Sequence, residues 1–199
     1  GNAMVLSTAK LMRILEAIRE SFGPRVRVST YALPRDIMTK TPEELIQLKE
    51  AGLQLLYVGI ESGDDDVLKM VNKNETADST VEGLLKAQNA GMNLSVMIVN
   101  GLAGKKYSRQ HAINSAKIVN RIQPRFFSTL VLMVPLGEEF YKEKFAGQYE
   151  PMNDDDLLQE MEWLIGHTEL DRTIFRSNHV SNFLVLKGNP CTWLFSKSQ

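Results

Sequence analysis

The chain has 199 residues, 43% hydrophobic and 24% charged, enough to bury one substantial core and too apolar for a disordered protein. Lys+Arg 23 against Asp+Glu 24 gives a net charge of -1, so no basic surface advertises a nucleic acid as partner. A single cysteine, Cys191, excludes an internal disulfide framework and any metal site built from several thiolates, and it has no evident activator.

Gly1-Asn2-Ala3, ahead of Met4, read as a remnant of a protease-cleavage site and are set aside. Thr8 to Ser21 then places Leu11, Ile14, Leu15 and Ile18 at helical spacing, and Gly23-Pro24 ends that helix. Val26 to Tyr31 reads as a strand. Thr41-Pro42-Glu43-Glu44 is a capping box with proline at the first helical position, and Gly52 suits the left-handed end of that helix. Leu53 to Ile60 follows as a continuous apolar strand. Asp64 can cap a short helix bearing Val67, Leu68 and Val71, and Thr76 a longer one bearing Val81, Leu84 and Leu85. Leu94 to Val99 is the next strand, Ser108 opens a helix through Ala112, Ala116 and Val119, and Phe126 to Val134 is a fourth strand. After Pro135 the pattern loosens. Asn153 caps a helix with Leu157, Met161, Leu164 and Ile165, and Arg172 to Leu186 reads as a short strand plus helix or loop.

Buried-looking strands separated by helices predict an α/β fold with a parallel sheet. A β/α barrel and an open doubly wound sheet both fit this pattern, and a strand order without a switch point would select the barrel. Ligands in either fold bind beyond the carboxyl ends of the strands. Those ends are Ser29-Thr30-Tyr31, Glu61-Ser62-Gly63, Asn100-Gly101-Leu102-Ala103-Gly104 and Met133-Val134-Pro135. Glu61 emerges from a buried strand where it could accept ribose hydroxyls or pair with an ammonium, or could simply cap the next helix. The glycines after Asn100 permit close backbone approach by a ligand, or serve only a tight turn; they form neither a P-loop nor a dinucleotide fingerprint. Asp64-Asp65-Asp66 and Asp154-Asp155-Asp156 suit the first turns of helices and lack the spacing of a calcium loop. His111 and His167 read as core or surface residues, while His179 sits in a polar cluster, Ser177 to Asn182.

Tyr57-Val58-Gly59-Ile60-Glu61-Ser62-Gly63 resembles the radical S-adenosylmethionine (radical SAM) superfamily, in the subgroup of the elongator catalytic subunit and the anaerobic coproporphyrinogen oxidases. Leu48 to Leu53 before it and Val67 to Lys73 after it continue the likeness. So do Arg27 to Pro34, Ala90-Gly91-Met92, the Gly101-Leu102-Ala103-Gly104 turn, Ser108 with His111, and Arg176 to His179 with Ser181-Asn182. The resemblance implies a partial, TIM-like parallel (β/α) barrel, with these four strands as the third to sixth of a (β/α)6 core. Residues 4–135 would form the barrel part, and residues 136–199 a C-terminal helical extension packed on the same domain. It also implies S-adenosylmethionine as cofactor, cleaved reductively against a 4Fe-4S cluster to a 5′-deoxyadenosyl radical. Glu61, with Ser62 beside it, would contact the ribose or methionyl part of the cofactor. Asn100, Gly101, Leu102 and Ala103 would lie near the adenosyl part, and Met133 and Val134 would touch adenine.

The Cys-x3-Cys-x2-Cys loop that holds the cluster in this family has no counterpart here. The expectation is therefore the C-terminal portion of a radical SAM iron-sulfur oxidoreductase, inactive by itself, with a flavodoxin or ferredoxin as electron donor to the whole enzyme and an unknown substrate. The alternative is a naturally cluster-free barrel paralogue acting as a binding or scaffold domain. An open strand edge at residues 26–31 invites a homodimer or some cover over that edge. No apolar run nears the roughly 20 residues of a membrane helix and no secretory segment opens the chain, so a cytoplasmic protein without a membrane partner is expected.

Overall fold

The computed structural model describes residues 2–133 and 137–188. A short 3-10 helix, Ala3–Val5, is followed by α1 (Thr8–Phe22), β1 (Val28–Tyr31), α2 (Pro34–Met38), α3 (Pro42–Glu50) and β2 (Leu53–Glu61). Then come α4 (Asp65–Met70), α5 (Ala77–Asn89), β3 (Asn93–Asn100), α6 (Gly104–Ile122) and β4 (Phe126–Val131). The chain continues through α7 (Glu138–Lys144), α8 (Asp154–Gly166), β5 (Ile174–Arg176) and β6 (Lys187–Gly188).

The strands form one six-stranded sheet in sequence order, β1 to β5 parallel and β6 antiparallel. An order with no switch point is that of a barrel wall, and the doubly wound reading falls. Strand parity decides which face is buried. Leu56, Val58 and Ile60 of β2 and Leu94, Val96 and Ile98 of β3 pack in one core with Leu45 and Leu48 of α3. Val81 and Leu84 of α5 and Ala112, Ala116 and Val119 of α6 complete it. Residues of the opposite parity, including Tyr57, Gly59, Met97 and Val99, are only half-buried. The molecule is thus a partial barrel whose helices cover its outer face.

The helix starts follow their caps. Thr41, Thr76 and Asn153 each complete a capping box, and Asp64 caps α4 by accepting from Val67 N–H at 3.1 Å. α6 departs from expectation. It begins at Gly104, and Ser108 lies buried within its second turn, because Lys105 N–H is held by the Glu150 carbonyl at 3.0 Å one turn earlier.

The region after residue 135 is not a helical extension alone, since it adds β5 and β6 to the sheet. β5 is only three residues long, too short for periodicity to register. Its anchor is Phe175, fully buried with its ring 5.3 Å from that of Phe127 in β4. Above β5, side chains take over the sheet's hydrogen bonding: Ser181 Oγ accepts from Val131 N–H and Asn182 Nδ2 donates to the Thr129 carbonyl. The polar cluster around His179 therefore closes the upper part of β4, while His179 itself is exposed and bonds Ser181.

At the β1 edge, Asn2 forms a parallel bridge with Tyr31 and donates through its side chain to Asp36. A residue set aside on sequence grounds thus meets part of the edge. Met4, two residues on, is fully buried in the core. Replacing Phe175 by Ala is expected to cost about 3–5 kcal/mol of stability, measured by chemical denaturation. A loss no larger than that of a surface substitution would show β5 to be dispensable to the core.

Candidate functional site

At the end of β2 the chain leaves regular strand geometry. The register with β3 shifts between Gly59 and Glu61, and Glu61 adopts φ 60, a left-handed conformation that L-residues seldom accept. Its side chain folds back over Gly59, where a Cβ would lie 2.5 Å from Glu61 Oε1. Gly59 leaves the space that this carboxylate occupies; a side chain there would make the flexible end of Glu61 move aside. Lys73, just after α4, secures the arrangement: its ammonium donates to the Gly59 carbonyl at 2.8 Å and to Glu61 Oε1 at 3.0 Å. The carboxylate remains 31% exposed.

The next two residues turn inward. Ser62 is fully buried; its Oγ accepts from Asp64 N–H at 3.0 Å and lies 2.8 Å from His111 Nδ1 on α6. Gly63 presses directly on α6, since a Cβ there would stand 2.4 Å from the Asn114 carbonyl oxygen and 2.6 Å from Ser115 Cα. Its N–H donates to Ser115 Oγ at 2.8 Å. Asp64, besides capping α4, accepts from Gln110 and Asn114 of the same helix.

The turn after β3 is built from the opposite side. Gly101, at φ 80, donates its N–H to Glu160 Oε1 of α8 at 2.7 Å, and its carbonyl accepts from the Tyr149 hydroxyl at 3.3 Å. Glu160 also accepts from Ser108 Oγ at 2.5 Å and lies 3.9 Å from His111 Nε2. Asn100 is fully buried, and neither polar atom of its side chain has a hydrogen-bond partner among the described residues.

Between these turns lies a cavity of about 520 Å³ at the carboxyl ends of the strands. Glu61 and Lys73 form one wall, Val99, Leu102 and Leu132 the floor, and Phe140 and Tyr141 of α7 stand across it. An apolar pocket of this size with a few convergent polar groups suits a small organic ligand. Of the residues expected from sequence, Glu61 and Leu102 line it. Ser62 and Asn100 turn their side chains into the buried layer, Ala103 is buried at the start of α6, and Met133 is 63% exposed and outside the lining. Val134 and Cys191 lie outside the described residues.

Lys73, Glu160 and the α7 aromatics had no role in the sequence reading. Glu160 carried a usable signal: an acid on the apolar stripe Leu157, Met161, Leu164 of α8. Lys73 carried none, because its pairing depends on the reversal of the chain after α4. The two aspartate triplets serve helix starts, and Asp156 pairs with Lys105 at 2.8 Å. Among the described residues no group of three or more His, Cys, Asp or Glu side chains is placed to hold a metal ion.

Gly63→Ala should lower stability by about 1–3 kcal/mol or more in denaturant titrations, because its new methyl meets backbone and no yielding side chain. Tyr149 supplies a pH test. Burial first, then nearby Tyr141, Glu138 and Glu160, pushes its phenol up to about 12. The unfolded chain releases that proton near pH 10 while the folded chain keeps it, so stability falls as pH rises from about 10 to about 12. Thermal melts across that window should show a shallower decline for Tyr149→Phe than for the unmodified chain.

The family model described as "Radical SAM superfamily" matches residues 4–114. The heme chaperone HemW of Bacillus subtilis is 25% identical over 133 residues, covering 66% of this chain and 35% of that protein. HemW of Buchnera aphidicola is 20% identical over 161 residues, covering 80% and 42%. The chain thus spans well under half the length of these curated relatives. Among solved structures, coproporphyrinogen III oxidase (HemN) of Escherichia coli, described as a radical SAM enzyme, superposes with a TM-score of 0.66. Its identity is 20%, and the match covers 83% of this chain and 38% of that one. Elp3 of Methanocaldococcus infernus gives a TM-score of 0.65 at 15% identity, covering 90% and 46%. Those two likenesses concern the fold, the partial parallel barrel described above. No described helix is long and apolar enough to cross a membrane. The family match over more than half of the chain decides its membership: this protein belongs to the radical SAM superfamily.

Proposed function

We propose that the cavity between the Glu61 and Gly101 turns binds S-adenosylmethionine, and that this chain supplies the C-terminal half-barrel of a radical SAM enzyme. The observation that carries this reading is the built posture of Glu61. Its left-handed backbone, the room left by Gly59 and the Lys73 clamp all hold one partly exposed carboxylate at the strand end. With Lys73 already balancing its charge, the carboxylate acts as a hydrogen-bond acceptor for hydroxyls of the adenosyl moiety. Leu102 and Val99 offer apolar surface to the base, and Asn100, Gly101 and Ala103 set the turn that carries Leu102. When bound beside a reduced cluster, S-adenosylmethionine supplies the radical chemistry of the superfamily.

The residues fit the nucleoside cofactor but not the cluster, which in this family takes three cysteines where this chain has Cys191 alone. Cluster, electron donor and substrate are accordingly assigned to the whole enzyme, and this chain by itself is expected to be inactive. The single cysteine also favours a second reading, a cluster-free domain that keeps the nucleoside pocket for binding.

Isothermal titration with S-adenosylmethionine tests the site. Binding is expected, and Glu61→Gln should weaken it by about tenfold, the worth of one hydrogen bond to a charged group. Anaerobic reconstitution with iron and sulfide, then dithionite, should yield no 5′-deoxyadenosine from this chain. Binding indifferent to Glu61→Gln, or no binding at all, would sink the cofactor assignment. Turnover would sink the assignment of the cluster elsewhere.

A further inference from the structure

Glu160 is a carboxylate with no exposed surface, on the apolar side of α8 and beyond the residues that match the family model. A buried carboxylate is tolerated only when its oxygens are hydrogen-bonded. Here Oε1 takes the Gly101 N–H at 2.7 Å and Oε2 the Ser108 hydroxyl at 2.5 Å. One turn along α6, His111 Nε2 faces Oε1 from 3.9 Å, and the imidazole is likewise fully buried.

The protons on this path follow from the contacts. Ser62 Oγ accepts the Asp64 N–H at 3.0 Å and keeps its own hydroxyl proton for His111 Nδ1 at 2.8 Å. Nδ1 is then the acceptor and the ring proton sits on Nε2, since the other tautomer would aim an Nε2 lone pair at a carboxylate oxygen. Nε2 has no hydrogen-bond partner among the described residues, and its 3.9 Å contact with Glu160 is electrostatic only. The hydrogen-bonded route runs instead through α6: Glu160 grips the helix at Ser108, and the helix meets the Glu61–Gly63 turn where His111 bonds Ser62 and Ser115 Oγ accepts the Gly63 N–H.

We propose that Glu160 is a positioning residue that holds both strand-end turns at once, the Gly101 turn directly and the Glu61–Gly63 turn through α6, which it grips at Ser108 and which meets that turn at His111 and Ser115. A helix outside the matched segment thereby sets the spacing between the two walls of the cavity. The value of this spacing to a ligand rests on the cofactor reading above; the coupling itself does not.

Solution NMR on the isotopically labelled chain without ligand tests the coupling. Long-range ¹H–¹⁵N spectra should show His111 as the Nε2–H tautomer, and the Gly101 amide proton should lie well downfield. Glu160→Gln keeps the shape and removes the charge. It should move the Gly101 amide upfield and also shift the Ser62 and Gly63 amides and the His111 ring nitrogens. Movement at Gly101 with Ser62, Gly63 and His111 unchanged would overturn the proposal, as would an Nδ1–H tautomer in the unmodified chain. If Glu160→Gln does not fold, Ser108→Ala, which withdraws one donor from the carboxylate, is read the same way. Titration with S-adenosylmethionine is a separate arm: its failure would overturn the cofactor reading and leave the coupling standing.

Discussion

The parity of the strands governs this molecule. Each of the central strands sends alternate side chains to the helices and the rest to the open side, and in β2 and β3 the helix-facing set is almost wholly aliphatic. Once Leu56, Val58 and Ile60 are buried against α3 and α5, the other parity of β2, ending at Glu61, must face away from them. The alternation holds through the register shift and into Ser62. Glu61 is thereby left at the open end while Ser62 dives back beneath the helices. A one-residue slip would exchange the two.

Two kinds of close approach then fix the turns. Gly63 lets the chain touch the backbone of α6, and Gly59 lets a carboxylate lie across its own strand. At Gly63 a methyl group would meet backbone that cannot yield, whereas at Gly59 it would meet the flexible end of the Glu61 side chain. The strained backbone at Glu61 persists because Lys73 and the buried Ser62–His111 contact hold both sides of it. Such strain persists only where the surrounding structure over-determines it.

Beneath the turns runs a polar layer that a sheet-on-helix core normally lacks. Ser62, Asn100, Ser108, His111, Thr129 and Glu160 are all buried there. The cost of burying these groups is offset where they pair, as at Glu160 and Ser62. Asn100, Thr129 Oγ1 and His111 Nε2 are without a hydrogen-bond partner among the described residues, and buried groups of this kind are commonly met by internal water. Such a layer fixes specific geometry at the strand ends more than it adds stability.

The local signals in the chain were enough for α1, α3 to α6, α8 and the first four strands, but not for the short α2 and α7. Thr41, Asp64, Thr76 and Asn153 marked helix starts because capping is an exchange between neighbours three residues apart. Leu53 to Ile60 and Leu94 to Val99 declared themselves by apolar length, and Glu61 was legible as a carboxylate leaving a buried strand. The start of α6 at Gly104, the pairing of the short β5 beside β4, the Lys73 clamp and the role of Glu160 were not legible. Each rests on a partner about ten to sixty residues away: Glu150 for Lys105, Phe127 for Phe175, Glu61 for Lys73, Gly101 for Glu160. Composition and periodicity determined what each segment is and which face it buries, because those are properties of neighbouring residues. Only the tertiary structure decided which side chains meet at the cavity, because hydrogen bonding across a parallel sheet and its helices joins segments that the sequence keeps apart.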